Sequence, residues 1–377
     1  MKVIEFIKNN ENWRDILSVE PYCLSIKENN NFAILKYSMV DSDFSLDIVK
    51  ECRGLIIDLN TLEPVALSFY KFFNVQEEFA DKINWKKCRV QEKVDGTKIL
   101  LWYNKYDSKW QLSTSGELDA YAANVSDFGI TFGQLFDRAI KHYNNFYDLL
   151  DRNFCYTFEL VSPESRIVVP YKTTKIYFIG LRYVPTFIEC NPDTCEAVAK
   201  IVSRPKEYQL NSLSDCLSAT NRMGFDEEGF VVVDDTWHRV KIKSPAYVSA
   251  HHLRMNGATS IGRVLEIIEH GEQSEFLGYF PEYTEIFEDV ENKKSEFFNY
   301  LKDAISNVKV QVHNGLDRKA LAEYILTQYK DISAFLFKYL DIDLLDMFIS
   351  LQWNKLQKDK KMGYLGFKSE GQETQEE

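Results

Sequence analysis

The sequence predicts an α+β protein in which a strand-rich region of about 250 residues precedes an all-α region. Strand patterns recur from Phe32 to Lys243, with apolar residues alternating or running together between turn residues. Beyond about residue 250 the strand patterns stop, and apolar residues recur at helical spacing. A chain of 377 residues is long for one hydrophobic core. We therefore expect two domains, 1–250 and 251–377, with a disordered acidic tail from about residue 368.

The individual elements follow from the same periodicities. Residues 1 to 30 have a helical pattern that ends in turn chemistry around Pro21. The predicted strands cover 32–37, 55–59, 65–70, 99–103, 110–113, 154–161, 175–184, 229–233 and 239–243. The predicted helices cover 132–150, 194–202, 257–269, 283–308, 317–329 and 341–356.

Composition limits the possible partners and compartments. The net charge of −12 means that a polyanionic partner would have to bind at a local basic site. The seven cysteines are scattered without a C-x-x-C pair, which favours free thiols in a reducing cytoplasm over disulfides or structural zinc. There is no signal-peptide pattern and no apolar run of about 18 residues, so we expect no membrane contact.

Lys93 is the first candidate for chemistry. It lies between β-type residues and an Asp95-Gly96 turn, and a second strand pattern follows. A lysine at such a strand end becomes a nucleophile only after losing its proton, which desolvation, neighbouring cations or a metal ion favour. Read alone, the pattern fits a solvated lysine before a hairpin turn better than it fits a nucleophile.

Two earlier stretches offer cations near aromatic residues. Glu51-Cys52-Arg53-Gly54 precedes an apolar run, and Lys71-Phe72-Phe73-Asn74 ends the third predicted strand. Arg53 and Lys71 could converge on an anion. The alternatives are a surface ion pair for Arg53 and a core aromatic for Phe73.

Two later strands carry charges on otherwise apolar segments. Glu159 lies among apolar residues in 154–161, where it faces either solvent or a cation. Lys241 and Lys243 are two residues apart and therefore share one face of a strand. Two such charges repel unless an anion lies between them, although lysines are also common on exposed edge strands.

Taken together, these stretches resemble the motifs of the covalent nucleotidyltransferase superfamily, and above all those of the phage-type, ATP-dependent RNA ligase 1 family. The resemblance covers roughly residues 50 to 250. It rests on Glu51-Cys52-Arg53-Gly54, Lys71-Phe72-Phe73-Asn74, Lys93-Val94-Asp95-Gly96, Phe158-Glu159-Leu160-Val161, Arg166-Ile167-Val168, Glu228-Gly229-Phe230-Val231 and Lys241-Ile242-Lys243-Ser244. It implies a nucleotidyltransferase domain of antiparallel sheets with flanking helices over 1–250, followed by a helical domain bearing on RNA or tRNA specificity.

The resemblance also implies roles for individual residues. Lys93 would attack the α-phosphate of ATP and become a lysyl-AMP. Glu159 and Glu228 would hold the hydration shell of Mg²⁺ or Mn²⁺, and Arg166 is a candidate contact to RNA or phosphate, with a structural ion pair as the alternative. The implied ATP-binding residues are Arg53, Lys71, Phe73, Lys93, Val94, Gly96, Glu159, Lys241, Lys243 and Tyr247.

The implied activity is that of an ATP-dependent RNA ligase. Such an enzyme joins RNA 5′-phosphate and 3′-hydroxyl ends through lysyl-AMP and RNA-adenylate intermediates, as in RNA or tRNA repair. The expected partner is an RNA end, with a nicked tRNA anticodon loop as a candidate, in the cytoplasm (that of the host if the protein is viral) and without an obligatory protein partner. The alternatives are a DNA ligase, a capping-type guanylyltransferase or an inactive RNA-binding relative.

One position departs from the family pattern. Members tend to have a lysine or arginine where this chain has Ser113-Thr114-Ser115-Gly116, most closely at Ser115. One phosphate contact is therefore in doubt, and Lys98 or Lys109 is a hypothetical replacement.

Overall fold

The computed structural model describes residues 1–125, 129–253, 261–339 and 345–367. The chain divides into two compact units, Met1–Met255 and Asn256–Glu377. The tail expected from residue 368 lies outside the described residues. In the ranges that are described, no helix combines the length and the apolar character needed to cross a membrane.

The described part of the first unit holds fourteen strands in three sheets. In chain order they are β1 Leu24–Asn29, β2 Phe32–Tyr37, β3 Arg53–Asp58, β4 Pro64–Ala66, β5 Phe73–Asn74, β6 Cys88–Glu92, β7 Thr97–Asn104, β8 Lys109–Ser113, β9 Phe154–Val161, β10 Lys175–Tyr183, β11 Ile188–Cys190, β12 Glu207–Tyr208, β13 Gly229–Asp234 and β14 Arg239–Lys243. Sheet A has the order β1-β2-β3-β4, sheet B β12-β6-β13-β14-β5 and sheet C β11-β10-β9-β7-β8. All pairings are antiparallel except that of β14 with β5. The predicted α+β class with antiparallel sheets is thus confirmed.

Helices flank these sheets. The first unit's α-helices are α1 Lys2–Asn9, α2 Trp13–Leu17, α3 Asp47–Glu51, α4 Phe132–Ile140, α5 Glu196–Ala199, α6 Leu213–Thr220 and α7 Pro245–Leu253. The N-terminus of α1 is held by the Glu51 carboxylate, which accepts the backbone N–H of Lys2 at 3.1 Å and that of Val3 at 2.8 Å. Because the first N–H groups of a helix lack partners inside it, this contact stabilises α1 on sheet A. Glu51 therefore has a structural role, next to the candidate Arg53.

Strand β7 joins two layers of the first unit. Leu100 and Trp102 pack against apolar residues of sheet A, whereas Ile99 and Leu101 pack with residues of helix α4. Successive side chains of a strand point to opposite faces, so one strand can contribute to both cores. Sheets A and C are consequently packed face to face.

Several predicted boundaries needed correction. Leu24–Asn29 is a strand rather than helix, because it pairs along its whole length with β2. The strand predicted over 65–70 ends at Ala66, and the helix predicted over 132–150 ends at Ile140, followed by a 3₁₀ turn at Phe146–Leu149. In these cases tertiary pairing and loop geometry outweigh local periodicity.

The described part of the second unit is helical. Its α-helices are α8 Ile261–Glu269, α9 Gln273–Tyr279, α10 Thr284–His313, α11 Arg318–Gln328, α12 Ser333–Tyr339, α13 Leu345–Asn354 and α14 Lys358–Tyr364. Its core includes Phe287, Phe297 and Leu301 of α10 together with Trp353 of α13. The starts of the helices predicted over 257–269 and 341–356 lie outside the described residues.

Candidate active site

Lys93 directly follows strand β6 and is held at both ends. Its backbone N–H donates to the carbonyl oxygen of Gly229 at 2.8 Å, which extends the pairing of β6 with β13. Its Nζ lies 2.7 Å from Glu228 Oε1, and the Glu228 side chain is only 4% exposed. The interpretation of Lys93 as an ordinary solvated lysine is therefore wrong.

Residues 93–96 cross between sheets instead of closing a hairpin. Strand β6 belongs to sheet B, and β7 belongs to sheet C. A Cβ on Gly96 would lie 2.5 Å from the carbonyl oxygen of Leu160, so only glycine lets the chain approach β9 this closely. The Asp95-Gly96 pair thus lets the chain pass from sheet B to sheet C close to β9, and the predicted hairpin turn between paired strands is wrong.

Asp95 fixes the middle of this crossing. Its carboxylate accepts the backbone N–H groups of Val168 at 2.9 Å and Val169 at 2.7 Å, and the hydroxyl of Tyr247 donates to it at 2.8 Å. Tyr247 is buried and is absent from the pocket walls. It therefore supports the Lys93 segment through its hydrogen bond to Asp95 and does not line the pocket. Arg166 is exposed, and its Nε donates to the carbonyl oxygen of Val168 at 2.8 Å.

A pocket of about 410 Å³ lies where the three sheets meet. Sheet A contributes Arg53, sheet B contributes Lys241 and Lys243, and sheet C contributes Lys98 and Glu159. Its walls are formed by Arg53, Phe69, Phe72, Gln91, Glu92, Lys93, Val94, Gly96, Thr97, Lys98, Ser115, Glu159, Ile179, Pro205, Val231, Arg239, Lys241 and Lys243. Seven of the predicted ATP-binding residues are among them: Arg53, Lys93, Val94, Gly96, Glu159, Lys241 and Lys243.

The two lysines of β14 face this pocket from an inner strand. Because β14 lies between β13 and β5, the edge-strand alternative for Lys241 and Lys243 is wrong. Lys243 Nζ is 3.7 Å from Glu228 Oε1 and 5.6 Å from the centre of the Tyr247 ring. Glu228 is therefore close to two lysine amines, and its buried Oε2 has no hydrogen-bond partner among the described residues.

Glu159 is half-buried in the pocket wall and close to charges of both signs. Burial raises the pKa of its carboxyl group to about 7; the nearby Lys93 opposes this shift, whereas Glu228 adds to it. The alternative in which Glu159 simply faces solvent is therefore wrong. A cation bound beside Glu159 would favour its charged form.

This pKa leads to a prediction about stability. Because the folded-state pKa of about 7 exceeds the ordinary value of 4.5, ionisation of Glu159 lowers stability as the pH rises between these values. Glu159→Gln should match wild type in free energy of unfolding at pH 4 and exceed it at pH 8, by up to about 3 kcal/mol. Glu227→Gln, at an exposed neighbour of Glu228, is the control. An equal difference at both pH values would contradict the prediction.

Arg53 and Lys98 form the side of the pocket next to sheet A. The buried Lys98 amine donates to the carbonyl oxygen of Arg53 at 3.0 Å and to Ser68 Oγ at 2.7 Å. Burial, and then the charge of Arg53, hold the pKa of Lys98 well below its usual value. Arg53 Nη1 is buried without a hydrogen-bond partner among the described residues, as expected for a donor awaiting an anionic ligand.

Besides Tyr247, two predicted ATP-binding residues lie outside the pocket walls. Phe73 is buried between Phe44 and Phe79, whose ring centres lie 5.7 and 5.8 Å from its own. The alternative interpretation of Phe73 as a core aromatic is therefore correct. Its neighbour Phe72 lines the pocket instead. Lys71 lies against the rings of Phe44 and Phe73 and lines a second cavity, of about 530 Å³.

Sequence reasoning missed Phe72 and Arg239. Arg239 lines the pocket, lies 4.2 Å from the centre of the Phe69 ring and forms an ion pair with Glu189. The sequence does contain a signal for Arg239: it lies two residues before Lys241 in the same strand, so the side chains of Arg239, Lys241 and Lys243 lie on one face. No comparable signal distinguishes Phe72 from Phe73, because the irregular segment before β5 has no alternation to read.

The two candidate metal ligands fit a divalent cation. The charge of Glu228 helps to raise the pKa of Glu159, and Glu228 Oε2 lacks a hydrogen-bond partner among the described residues. A cation between the carboxylates would relieve both conditions. Within the described ranges no group of three or more metal-binding side chains occurs. Mg²⁺ needs only one or two carboxylates because it keeps several of its waters.

The site thus places one lysine among cations and carboxylates at a junction of antiparallel sheets. The chain belongs to the RNA ligase family, whose model matches residues 51–247. This confirms the resemblance drawn from the motifs.

Two relatives and one solved structure illustrate what the chain is similar to. A protein of Autographa californica nuclear polyhedrosis virus, provisionally named bifunctional polynucleotide kinase/RNA ligase, is 29% identical over 295 residues, which cover 72% of this chain and 40% of that protein. The RNA ligase of Rhodothermus phage RM378 is 27% identical over 365 residues, covering 78% of this chain and 81% of its own length. Among solved structures, an archaeal ATP-dependent RNA ligase has 13% identity and a TM-score of 0.43, covering 76% of this chain and 78% of that one. This chain thus spans about two fifths of the viral relative and most of the phage relative.

Proposed function

We propose that this member of the RNA ligase family joins RNA 5′-phosphate and 3′-hydroxyl ends at the cost of ATP. The observation that carries the proposal is the placement of Lys93. Its amine is fixed 2.7 Å from Glu228 in the wall of a pocket that Arg53, Lys241 and Lys243 also line. A phosphoryl-transfer site needs a positioned nucleophile and positive charge around the phosphate oxygens.

In the first step, the Lys93 amine gives up a proton and attacks the α-phosphorus of ATP. A nitrogen–phosphorus bond forms, the bond between the α-phosphorus and the bridging oxygen breaks, and pyrophosphate leaves with the bonding electrons. Arg53, Lys241 and Lys243 balance the charge of the phosphates. Val94 and Gly96 line the site beside the nucleophile.

Two transfers complete the reaction. A phosphate oxygen of the RNA 5′ end attacks the lysyl-AMP and releases Lys93, giving an RNA-adenylate with a 5′–5′ pyrophosphate link. The 3′-hydroxyl of the other end then loses its proton and attacks the 5′-phosphorus of that RNA, forming the phosphodiester and expelling AMP. Both transfers act on phosphates, so one cationic pocket can serve them in an otherwise acidic protein.

Glu159 and Glu228 are the residues that would hold the divalent metal, Mg²⁺ or Mn²⁺. When bound, such an ion supplies positive charge to the oxygens of the phosphate being transferred. In addition, we assign Lys71 to the phosphates through the adjoining cavity and the exposed Arg166 to the RNA backbone. A nicked tRNA anticodon loop in the cytoplasm is the proposed substrate, and RNA or tRNA repair is the proposed role.

The test is a labelling experiment with wild-type protein. The protein is incubated with α-labelled ATP and Mg²⁺ or Mn²⁺ in the absence of RNA, denatured, and examined for retained label. Labelled protein is then given 5′-phosphorylated RNA or DNA, and we expect the label to pass to RNA and ligated RNA to form. Failure of both ATP and GTP to label the protein would overturn the proposal. Labelling by GTP alone would indicate a capping-type enzyme, and transfer only to DNA would indicate a DNA ligase.

Lys98 should matter for labelling, whereas Lys109 should not. Lys98 lines the pocket, but Lys109 is exposed at the start of β8 and is not among the pocket walls. We expect Lys98→Ala to slow lysyl-AMP formation at least about 10-fold, because the hydrogen bonds that position Arg53 are lost. Lys109→Ala should label like wild type and serves as the control. Normal labelling by a correctly folded Lys98→Ala protein would contradict the prediction.

A further inference from the structure

Lys36 of strand β2, which no motif marks, lies close to one wall of the pocket without being part of it. A Cβ on Gly116 would lie 3.4 Å from Lys36 Nζ and 3.5 Å from its Cδ. The lysine side chain therefore passes directly over Gly116. The preceding residue, Ser115, is one of the pocket walls.

The backbone explains why these distant segments meet. Gly54 has a φ of +77°, and a Cβ there would lie 2.8 Å from the carbonyl oxygen of Ser115. Strand β3 and the turn after β8 are therefore in close contact. Since Lys36 is the cross-strand partner of Arg53, this contact places the Lys36 amine next to Ser115.

The charges around Lys36 favour an anionic ligand. Lys36 and Arg53 both lower the pKa of Lys98, so three basic groups lie within electrostatic reach of one another. Lys27, on the neighbouring strand, forms an ion pair with Glu117. In the described part of the chain, the Lys36 amine has no such carboxylate partner. Like charges on opposed strand positions are unfavourable unless an anion lies between them.

We propose that Lys36 binds a phosphate group at the rim of the pocket, where Ser115 contributes no charge. This inference rests on the proposed function and adds a binding residue from outside the matched motifs. The phosphate belongs either to the pyrophosphate end of ATP or to the 5′ end of the RNA. Both present the same dianionic chemistry to a lysine.

The experiment compares Lys36→Ala with wild type in two separate reactions. In the first, the rate of lysyl-AMP formation is measured against ATP concentration without RNA. In the second, isolated enzyme already carrying labelled AMP is mixed with increasing 5′-phosphorylated RNA. An increase of about 10-fold in the half-saturating concentration of ATP would identify the pyrophosphate end. The same increase for RNA alone would identify the RNA phosphate, and no change in either reaction would overturn the inference.

Further variants distinguish the loss of the Lys36 charge from a structural effect of the substitution. Lys36→Arg should retain wild-type behaviour, and the double variant Lys36→Ala/Ser115→Lys should recover it because the charge returns at the adjacent pocket wall. Lys27→Ala, an exposed lysine paired with Glu117, should leave both reactions unchanged. If neither Lys36→Arg nor the double variant behaves like wild type, a role for the charge is excluded. Loss of labelling by wild-type protein would instead defeat the proposed function, so the two failures are distinguishable.

Discussion

Lys93→Ala should carry no AMP label after incubation with α-labelled ATP and a divalent metal, whereas wild type should be labelled. The substitution removes the nitrogen that is proposed to form the bond to phosphorus, and the nearby Lys98 amine already has hydrogen-bond partners. Lys98 is buried and donates to Arg53 and Ser68. The measurement is the radioactivity retained on denatured protein. Label on Lys93→Ala equal to that on wild type would assign the nucleophile elsewhere.

Two further variants sharpen the result. Lys93→Arg keeps the positive charge beside Glu228 but cannot supply an uncharged nitrogen, so it should also remain unlabelled. Lys87→Ala, at a lysine 66% exposed and paired with Asp235, should label normally. In the proposed mechanism Lys93 is needed only to make the adenylate, so the Lys93→Ala protein should still seal RNA that has been adenylated beforehand. That activity would also show that the rest of the pocket remains folded.

Glu228→Ala should reduce lysyl-AMP formation about 100-fold or more. The change removes the carboxylate that fixes Lys93 Nζ at 2.7 Å and leaves Lys93 and Lys243 facing each other. Misplacement of a reacting group by even about 1 Å can cost on the order of 100-fold in rate. It also removes one of the two carboxylates proposed to hold the metal. The initial rate of labelling at saturating ATP measures the effect.

The neighbouring acid provides the control for this variant. Glu227 is exposed, so Glu227→Ala should label at the wild-type rate. Glu228→Asp keeps the charge on a shorter side chain, and higher divalent-metal concentration should partly restore its rate. Labelling of Glu228→Ala within about two-fold of wild type would show that neither the ion pair nor the carboxylate contributes to this step.

Local patterns in the sequence were sufficient to place many elements. Strands β2 and β9 have the predicted bounds, Phe32–Tyr37 and Phe154–Val161, because their apolar and β-branched residues form continuous runs between turn residues. The pairing of strands was harder to predict from the sequence. The Lys93 segment shows why, since an Asp-Gly sequence is compatible with a hairpin and also with a crossing between sheets. Only the contact of Gly96 with β9 decides between them.

The candidate site was predictable where charges interrupt apolar strands. Lys241, Lys243 and Glu159 stand out in this way, and all three line the pocket. Phe73 was placed incorrectly because the side-chain direction of a two-residue strand cannot be inferred from its flanks. Lys36 is brought beside Gly116, next to the pocket wall, by a contact between segments about 80 residues apart, which no local pattern encodes.

The crossing at 93–96 also determines which distances in the pocket can change. Lys93 and Glu228 are tied to the hydrogen-bonded ladder of sheet B, whereas Lys98 and Glu159 are part of sheet C. Backbone ladders resist shear, but side-chain contacts between packed layers permit small sliding movements. Sliding of one sheet over the other would alter the gap between Lys93 and Glu159 and preserve the Lys93–Glu228 pair. The width of the pocket therefore depends on how sheets B and C pack, and it would change without disturbing the hydrogen bonds within any strand pair.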